Sequence, residues 1–70
     1  MTFKLEQAPW EQKPTSIKRL LDNALIPFDP ANTDYQTFKA QINADEAQLE
    51  DADGVLMNAA EAKAFVATLP

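Results

Sequence analysis

The residues of "TSIKRLLDNALI", Thr15 to Ile26, satisfy the patterns of two different structures, and the fold class of the chain depends on which of them forms. In a helix with Thr15 as the N-cap, the apolar residues follow the spacing i, i+3, i+4, i+7 and i+8: Ile17, Leu20, Leu21, Ala24 and Leu25. In a hairpin, Asp22 and Asn23 form the turn, since both tolerate a positive φ, and residues 17–20 and 25–27 form the strands. The count of apolar matches favours the helix, but both structures remain open.

The next segment, "PFDPANTDYQTF" from Pro27 to Phe38, is typical of the start of a helix. The two prolines hold the residues before them extended, and Phe28 between them is free to face a core. A side-chain oxygen for the first N–H groups of the helix is offered by one of Asp29, Asn32 or Thr33, and Thr33 with Gln36 fits a capping box.

The helix that follows this start is predicted from an apolar repeat. Tyr35, Phe38 and Ile42 recur at i, i+3 and i+7, which indicates a helix of about 34–43.

Residues 1–14 are predicted to form a strand followed by an arm. Phe3 and Leu5 alternate with charged residues, which is the pattern of a half-buried strand. Pro9 and Pro14 then discourage regular structure. Trp10 lies between these prolines and either covers the small core or anchors a partner. Covering the core is the favoured interpretation, because large rings usually find local burial.

Residues 44–57 are predicted to be an acidic loop and turn. Five carboxylates crowd this segment without a base: Asp45, Glu46, Glu50, Asp51 and Asp53. Only Leu49 offers a large apolar anchor, so we expect residues 45–53 to be a mobile, solvated connection with little fixed structure. Asp53 and Gly54 signal a turn, and residues 55–57 form a short strand that pairs with residues 48–50.

A second helix, at about 59–69, closes the chain. Asn58 and Glu61 have the spacing of a capping box, and Ala62, Phe65, Val66 and Leu69 make one apolar face. We expect that face to be part of the core.

The chain of 70 residues is long enough for a single small domain only. The prediction is an α+β domain with two short helices (about 34–43 and 59–69), one or two short β-hairpins, and a further helix at 16–25 if the first stretch is helical. Along the chain this gives a strand and arm (1–14), a motif segment with its helix (15–43), an acidic loop (44–57) and a C-terminal helix (58–70). A core this small would gain stability from a partner.

Composition argues against an enzyme, a metal site and a cofactor site. Ser16 is the only serine, and the sequence has no histidine or cysteine, so the usual nucleophile and base pairs, disulfides and zinc sites are missing. The one glycine, Gly54, cannot build a phosphate-binding loop, and an EF-hand aligned on it would place Leu49 and Ala60 at ligand positions. No catalytic residue, metal ligand or cofactor is therefore predicted.

Charge and hydropathy restrict the expected partners. The net charge is -5, and residues 40–70 carry all of the acidic excess, which repels nucleic acid. No apolar run has the length of a membrane span or a signal peptide, so we expect a soluble intracellular product.

The segment "RLLDNALIPFDPANTDYQTF", Arg19 to Phe38, resembles a segment of small tail-related proteins of tailed bacteriophages and prophages. The pattern in that family is Arg-Leu-x-Asp-Gly-Ala-x-Ile-Pro-x-Asp-Pro-Ala-Asn-x-Asp-Tyr, followed by a short helix. This chain has Asn23 where the family usually has glycine and Gln41 near where a tryptophan is common. Since the Asp-Gly pair is typical of a hairpin turn, the resemblance favours the hairpin as strongly as the apolar spacing favours the helix.

The resemblance implies a non-enzymatic accessory protein that acts in tail or tail-fibre assembly. Its partner would be another tail or virion protein. The resemblance places this protein in the cytoplasm of the bacterial host, with incorporation into the virion in some cases. The residues predicted to bind that partner are Trp10, Phe28 and Tyr35, with Trp10 as the leading anchor. The alternative is a small acidic inhibitor that mimics nucleic acid and binds a basic host protein through the carboxylates of residues 45–53. A mobile acidic loop would favour the first function, and regularly spaced carboxylates on a rigid surface would favour the second.

Overall fold

A four-stranded mixed sheet and two helices make up the fold in the computed structural model, which describes all 70 residues. Along the chain the elements are β1 (Thr2–Glu6), β2 (Ser16–Arg19), β3 (Ala24–Pro27), α1 (Thr33–Asn43), β4 (Gln48–Glu50) and α2 (Ala59–Val66). The predicted α+β class with two short helices is confirmed.

The strands lie in the order β3-β2-β1-β4, so the two edges of the sheet are β3 and β4. β1 pairs antiparallel with β2 and β2 pairs antiparallel with β3, whereas β4 lies parallel to β1. The register places Leu5 opposite Ile17 and Ile17 opposite Ile26, which puts these three buried side chains on one face. Helices α1 and α2 pack against each other and cover that face, which gives two layers with the core between them.

The stretch from Thr15 to Ile26 forms the β2–β3 hairpin, and the helix at 16–25 does not form. Asn23 supplies the left-handed residue that the turn needs, with a φ of 58°. Leu21 and Leu25, which the helical pattern would bury, are 77% and 64% exposed. The hairpin is preferred because its register places Ile26, which lies outside the helical stripe, beside Ile17 in the core.

Helix α1 begins after Asn32, whose side-chain oxygen accepts a hydrogen bond from the Tyr35 N–H at 3.1 Å. Asn32 is therefore the N-cap among the predicted candidates. Asp29 instead accepts from the Ala31 N–H at 3.0 Å and organises the preceding turn. Thr33 lies inside the helix and the Gln36 side chain donates to the Pro30 carbonyl, so the capping box between Thr33 and Gln36 is not formed.

The acidic segment contains strand β4, so the expectation of little fixed structure is wrong for residues 48–50. Leu49 is fully buried opposite Phe3. One buried residue is enough to order the strand, because the backbone of β4 pairs with that of β1. The predicted pairing of residues 55–57 with β4 is present as one antiparallel bridge between Glu50 and Leu56. The Met57 N–H donates to the Leu49 carbonyl at 2.8 Å, so the segment shields the outer edge of β4.

Helix α2 is shorter than predicted, because it ends at Val66 and not at residue 69. Asn58 caps it by accepting a hydrogen bond from the Glu61 N–H at 2.8 Å. The Thr68 N–H and hydroxyl both donate to the Phe65 carbonyl, at 3.0 and 2.7 Å, which closes the helix end in a turn. Val66 lies in the core, whereas Phe65 and Leu69 are only half-buried.

Neither helix has both the length and the apolar character required to cross a bilayer.

Candidate functional site

Residues 7–15, called the arm below, join β1 to β2 and present Trp10 on a tight turn. Ala8 to Glu11 form the turn, in which the Glu11 N–H donates to the Ala8 carbonyl at 2.9 Å. The Glu11 carboxylate accepts in return from the Ala8 N–H at 2.8 Å, and the Gln7 side chain donates to the Glu11 carbonyl. Pro9 occupies the second position of this turn, where its fixed φ favours the bend. The turn is thus held by local contacts and not by burial of the tryptophan.

Trp10 is 85% exposed, so the interpretation of its ring as a cover for the core is wrong. The core is instead closed at its margins by half-buried residues from other parts of the chain: Phe28, Ala47, Met57, Phe65 and Leu69. Because these residues complete the core, the indole ring remains in solvent at the tip of the arm.

Two depressions lie beside the arm. The first, of about 260 Å³, separates Ala8 and Glu11 from Leu25 on the edge strand β3. The exposed Leu25 therefore lies on the same side of the molecule as the Trp10 turn. The second depression, called the Phe28 cleft below, measures about 360 Å³. It is lined by residues 13–15 at the end of the arm, by Phe28, and by Phe65, Thr68, Leu69 and Pro70 near the end of the chain.

Phe28 and Tyr35, the other residues predicted to bind a partner, differ in accessibility. Phe28 is half-buried and reaches the surface in its cleft, with its ring centroid 6.4 Å from that of Phe65. Tyr35 is fully buried, and its burial raises the pKa of its hydroxyl, which donates to the Pro70 carbonyl at 2.9 Å. Tyr35 is therefore a core residue, and the structure brings only Trp10 and Phe28 to the surface.

The acidic residues of the alternative site are partly engaged within the chain. Asp45 forms an ion pair with Lys63 at 2.9 Å, and one Asp51 oxygen accepts from the Asp53 and Val55 N–H groups. Glu46 and Asp53 are exposed and Glu50 is half-buried on the sheet. Two of the five carboxylates therefore serve the fold, so the segment is not a regular row of free charges.

No group of acidic side chains in the molecule is arranged to hold a metal ion.

The face of the sheet opposite the helices is open and carries mixed charge. Lys4 and Lys18 lie opposite each other on β1 and β2, and one Glu6 oxygen lies 3.8 Å from the first ammonium and 3.6 Å from the second. Glu50 lies beside Lys4 on β4 and supplies a second carboxylate, so the two bases and two acids balance and this face offers no strong field to a charged partner.

Several residues between Arg19 and Phe38 have clear structural roles. The Arg19 guanidinium donates to both Asp22 oxygens, at 3.0 and 2.9 Å, across the hairpin turn. Asn23 adopts the left-handed conformation, Asn32 caps α1 and Tyr35 fills the core. These residues build the scaffold and are not free to form a binding site.

Sequence reasoning missed the exposure of Leu25 and the cleft beside the arm. The exposure of Leu25 follows from the hairpin register, because its neighbour Ile26 faces the core and successive strand residues alternate. The cleft has no sequence signal, since its walls come from three separate parts of the chain, at residues 13–15, 28 and 65–70.

Comparisons of the chain with protein-family models, with curated proteins and with solved structures found no match.

Proposed function

We propose that this protein is a non-enzymatic accessory protein of a bacteriophage or prophage tail and that it acts in tail or tail-fibre assembly through protein contacts. The observation that carries the proposal is the exposed Trp10 on its proline turn. Assembly takes place in the cytoplasm of the bacterial host, and the protein is retained in the tail if its partner is a tail component.

A preorganised tryptophan is a strong protein-binding feature. Tryptophan is among the residues most enriched in binding hot spots, because its ring buries a large area at a low entropic cost. The hydrogen bonds of the Ala8–Glu11 turn reduce the loss of conformational freedom on binding. The nearby Leu25 extends the apolar surface, so a partner would bury both residues.

The tail assignment is supported by the resemblance of Arg19 to Phe38. That segment builds the β2–β3 hairpin and the start of α1, and β2 is hydrogen bonded to β1, from which the arm departs. A protein that shares the segment would therefore share the framework that holds the arm.

Site-specific photocrosslinking tests the proposal. A benzophenone amino acid at position 10 would be compared with one at Ala60, an exposed control position on α2, in bacteria that carry the gene after prophage induction. Crosslinks from position 10 alone to a tail component, identified by mass spectrometry, are the expected result. Absence of the protein from tail intermediates, together with crosslinks only to a basic host protein, would overturn the proposal.

Binding to the identified component then separates an apolar from an electrostatic interface. Trp10→Ala should weaken the affinity by about 2 kcal/mol or more, which is roughly thirtyfold. Reversal of the exposed charges in Glu46→Lys and Asp53→Lys should change the affinity by less than about threefold. The opposite pattern, with a steep loss of affinity as salt rises, would favour the nucleic-acid mimic.

A further inference from the structure

We propose that two copies of this chain associate about a two-fold axis, with Trp10 of each copy inserted into the Phe28 cleft of the other. The inference rests on the part of the proposed function that makes Trp10 a protein-binding residue. It requires no phage component, because the second copy is the partner.

The inserted residue and its receptor lie close together on one surface. Lys13 lines the Phe28 cleft and is three residues from Trp10 in the chain. Three residues span at most about 11 Å, so the Trp10 backbone lies within that distance of the Lys13 backbone at the rim of the cleft. A two-fold interface uses the same patch on both subunits, so it needs both complementary features on that patch. The arm and the Phe28 cleft meet this requirement.

The cleft suits an indole ring in size and chemistry. Its volume is about 360 Å³, and two aromatic rings and a leucine form its apolar lining: Phe28, Phe65 and Leu69. The two phenyl rings are tilted by 59° to each other, so a third ring could meet one edge and one face. Insertion would remove the most exposed large apolar side chain of the protein from water.

The charges beside the two features are complementary. Lys13 is the only basic side chain of the chain without a hydrogen bond or ion pair, and it borders the cleft. Glu11 follows Trp10, and only one of its carboxylate oxygens is used within the turn. Insertion of Trp10 would bring Glu11 of one copy toward Lys13 of the other.

The distribution of net charge also permits self-association at this patch. Residues 1–39 contain equal numbers of acids and bases, and the acidic excess lies in residues 40–70. Five of those acids lie in or next to β4, at the edge of the sheet opposite β3. The like charges of two copies would therefore be kept away from the contact.

The interface is small, so the dimer should be weak. A standard interface buries roughly 800 Å² per partner, which would be near a fifth of the 4339 Å² surface of this chain. One tryptophan and the margins of one cleft on each copy bury less than that, so we expect a dissociation constant on the order of micromolar.

The single tryptophan makes the association directly measurable, because all indole fluorescence comes from Trp10. On raising the concentration of purified protein, the emission should shift to the blue over the same range in which sedimentation equilibrium reports a dimer mass. A monomer mass up to about millimolar concentration would overturn the proposal, as would a dimer in which the emission does not change.

Mixing two defective variants tests the reciprocal geometry. Trp10→Ala removes the inserted ring and Leu69→Asp places a charge in the cleft, so each variant alone should dimerise at least about thirtyfold more weakly. In the mixture, the intact Trp10 of the Leu69→Asp chain can enter the intact cleft of the Trp10→Ala chain. Its emission should therefore shift to the blue as the second variant is added, with an affinity between those of the parent and the single variants.

Two further variants, both at surface positions, distinguish a loss of the dimer from a loss of the fold. Lys13→Glu changes an exposed side chain and should also weaken the dimer, whereas Leu56→Asp at the β4 edge should dimerise like the parent. Circular dichroism would confirm that all variants are folded. Folded variants that fail to complement each other, or a Leu69→Asp variant that dimerises normally, would refute the reciprocal contact. A failed dimer together with Trp10-dependent binding to a tail component would leave the proposed function intact.

Discussion

Leu49→Ala should destabilise the protein more than its position in a three-residue strand suggests. Leu49 is fully buried, lies opposite Phe3 and is the only large apolar residue between residues 45 and 53. Truncation of a buried leucine costs about 2–5 kcal/mol, and we expect about 3 kcal/mol because an edge strand can partly close over the cavity. For a domain of this length, total stability is about 4–10 kcal/mol, so the change removes a large share of it.

The effect should extend beyond the cavity because β4 holds the following segment. The Met57 N–H donates to the Leu49 carbonyl and the Asp51 N–H donates to the Val55 carbonyl, so loosening β4 also frees the turn around Gly54. Amide exchange in residues 48–57 should therefore accelerate more than exchange in the β2–β3 hairpin.

Urea denaturation measures the loss, with Leu56→Ala as the matched control, since Leu56 is 53% exposed in the same region. With a slope near 1 kcal/mol per molar urea, the midpoint of Leu49→Ala should fall by about 3 M, and that of the control by less than about 1 M. Equal midpoints for the two variants would show that Leu49 is not an anchor and that residues 45–53 are the solvated connection that their composition indicates.

Three further predictions concern the segment from Arg19 to Phe38. Asn32→Ala should lower the free energy of unfolding by about 1 kcal/mol and the melting temperature by about 4–8 °C, because α1 loses its cap; a change below 1 °C in calorimetry would contradict this. Asn23→Ala should cost about 1 kcal/mol in urea denaturation because φ is 58°, whereas Asn23→Gly should stay near the parent value; equal losses would disprove the conformational reason. Hydrogen bonds from Arg19, and then from the Ala24 N–H, hold the pKa of Asp22 below its ordinary value of 3.8, which an NMR titration should show and Arg19→Gln should largely reverse. Because the folded pKa of Asp22 is lower than its ordinary value, the Arg19–Asp22 pair stabilises the protein fully above the ordinary pKa. Its contribution is lost as the pH falls through the folded pKa, so the stabilities of Asp22→Asn and the parent should converge only in strong acid.

Elements that local chemistry controls were predictable from the amino-acid sequence. The caps at Asn32 and Asn58 are set by side chains within three residues of the groups they bind, so the starts of both helices were predictable. The alternation of apolar and charged residues around Phe3 and Leu5 is also a local pattern, and it located β1. The end of α2 was less predictable, because alanines permit a helix to continue and only the turn at Thr68 ends it.

The choice between hairpin and helix for residues 15–26 depends on long-range packing. Both structures satisfy local rules, and the difference arises from the partners of each side chain. Ile26 is buried opposite Ile17 and Leu25 is left in solvent, an arrangement that depends on β1 and the two helices, which lie elsewhere in the chain.

The candidate surface was likewise decided by packing and not by local pattern. The sequence marked Trp10 as either a core residue or an anchor, and its exposure follows from the fact that Phe28 and Phe65 already close the core beside Tyr35. The parallel pairing of β1 with β4 joins residues more than 40 positions apart, and it creates the burial of Leu49 that its own acidic neighbours do not predict. Local hydrogen bonds and backbone preferences act over a few residues and can be inferred from sequence, whereas burial depends on which distant side chains occupy the same volume, and only the folded chain specifies that.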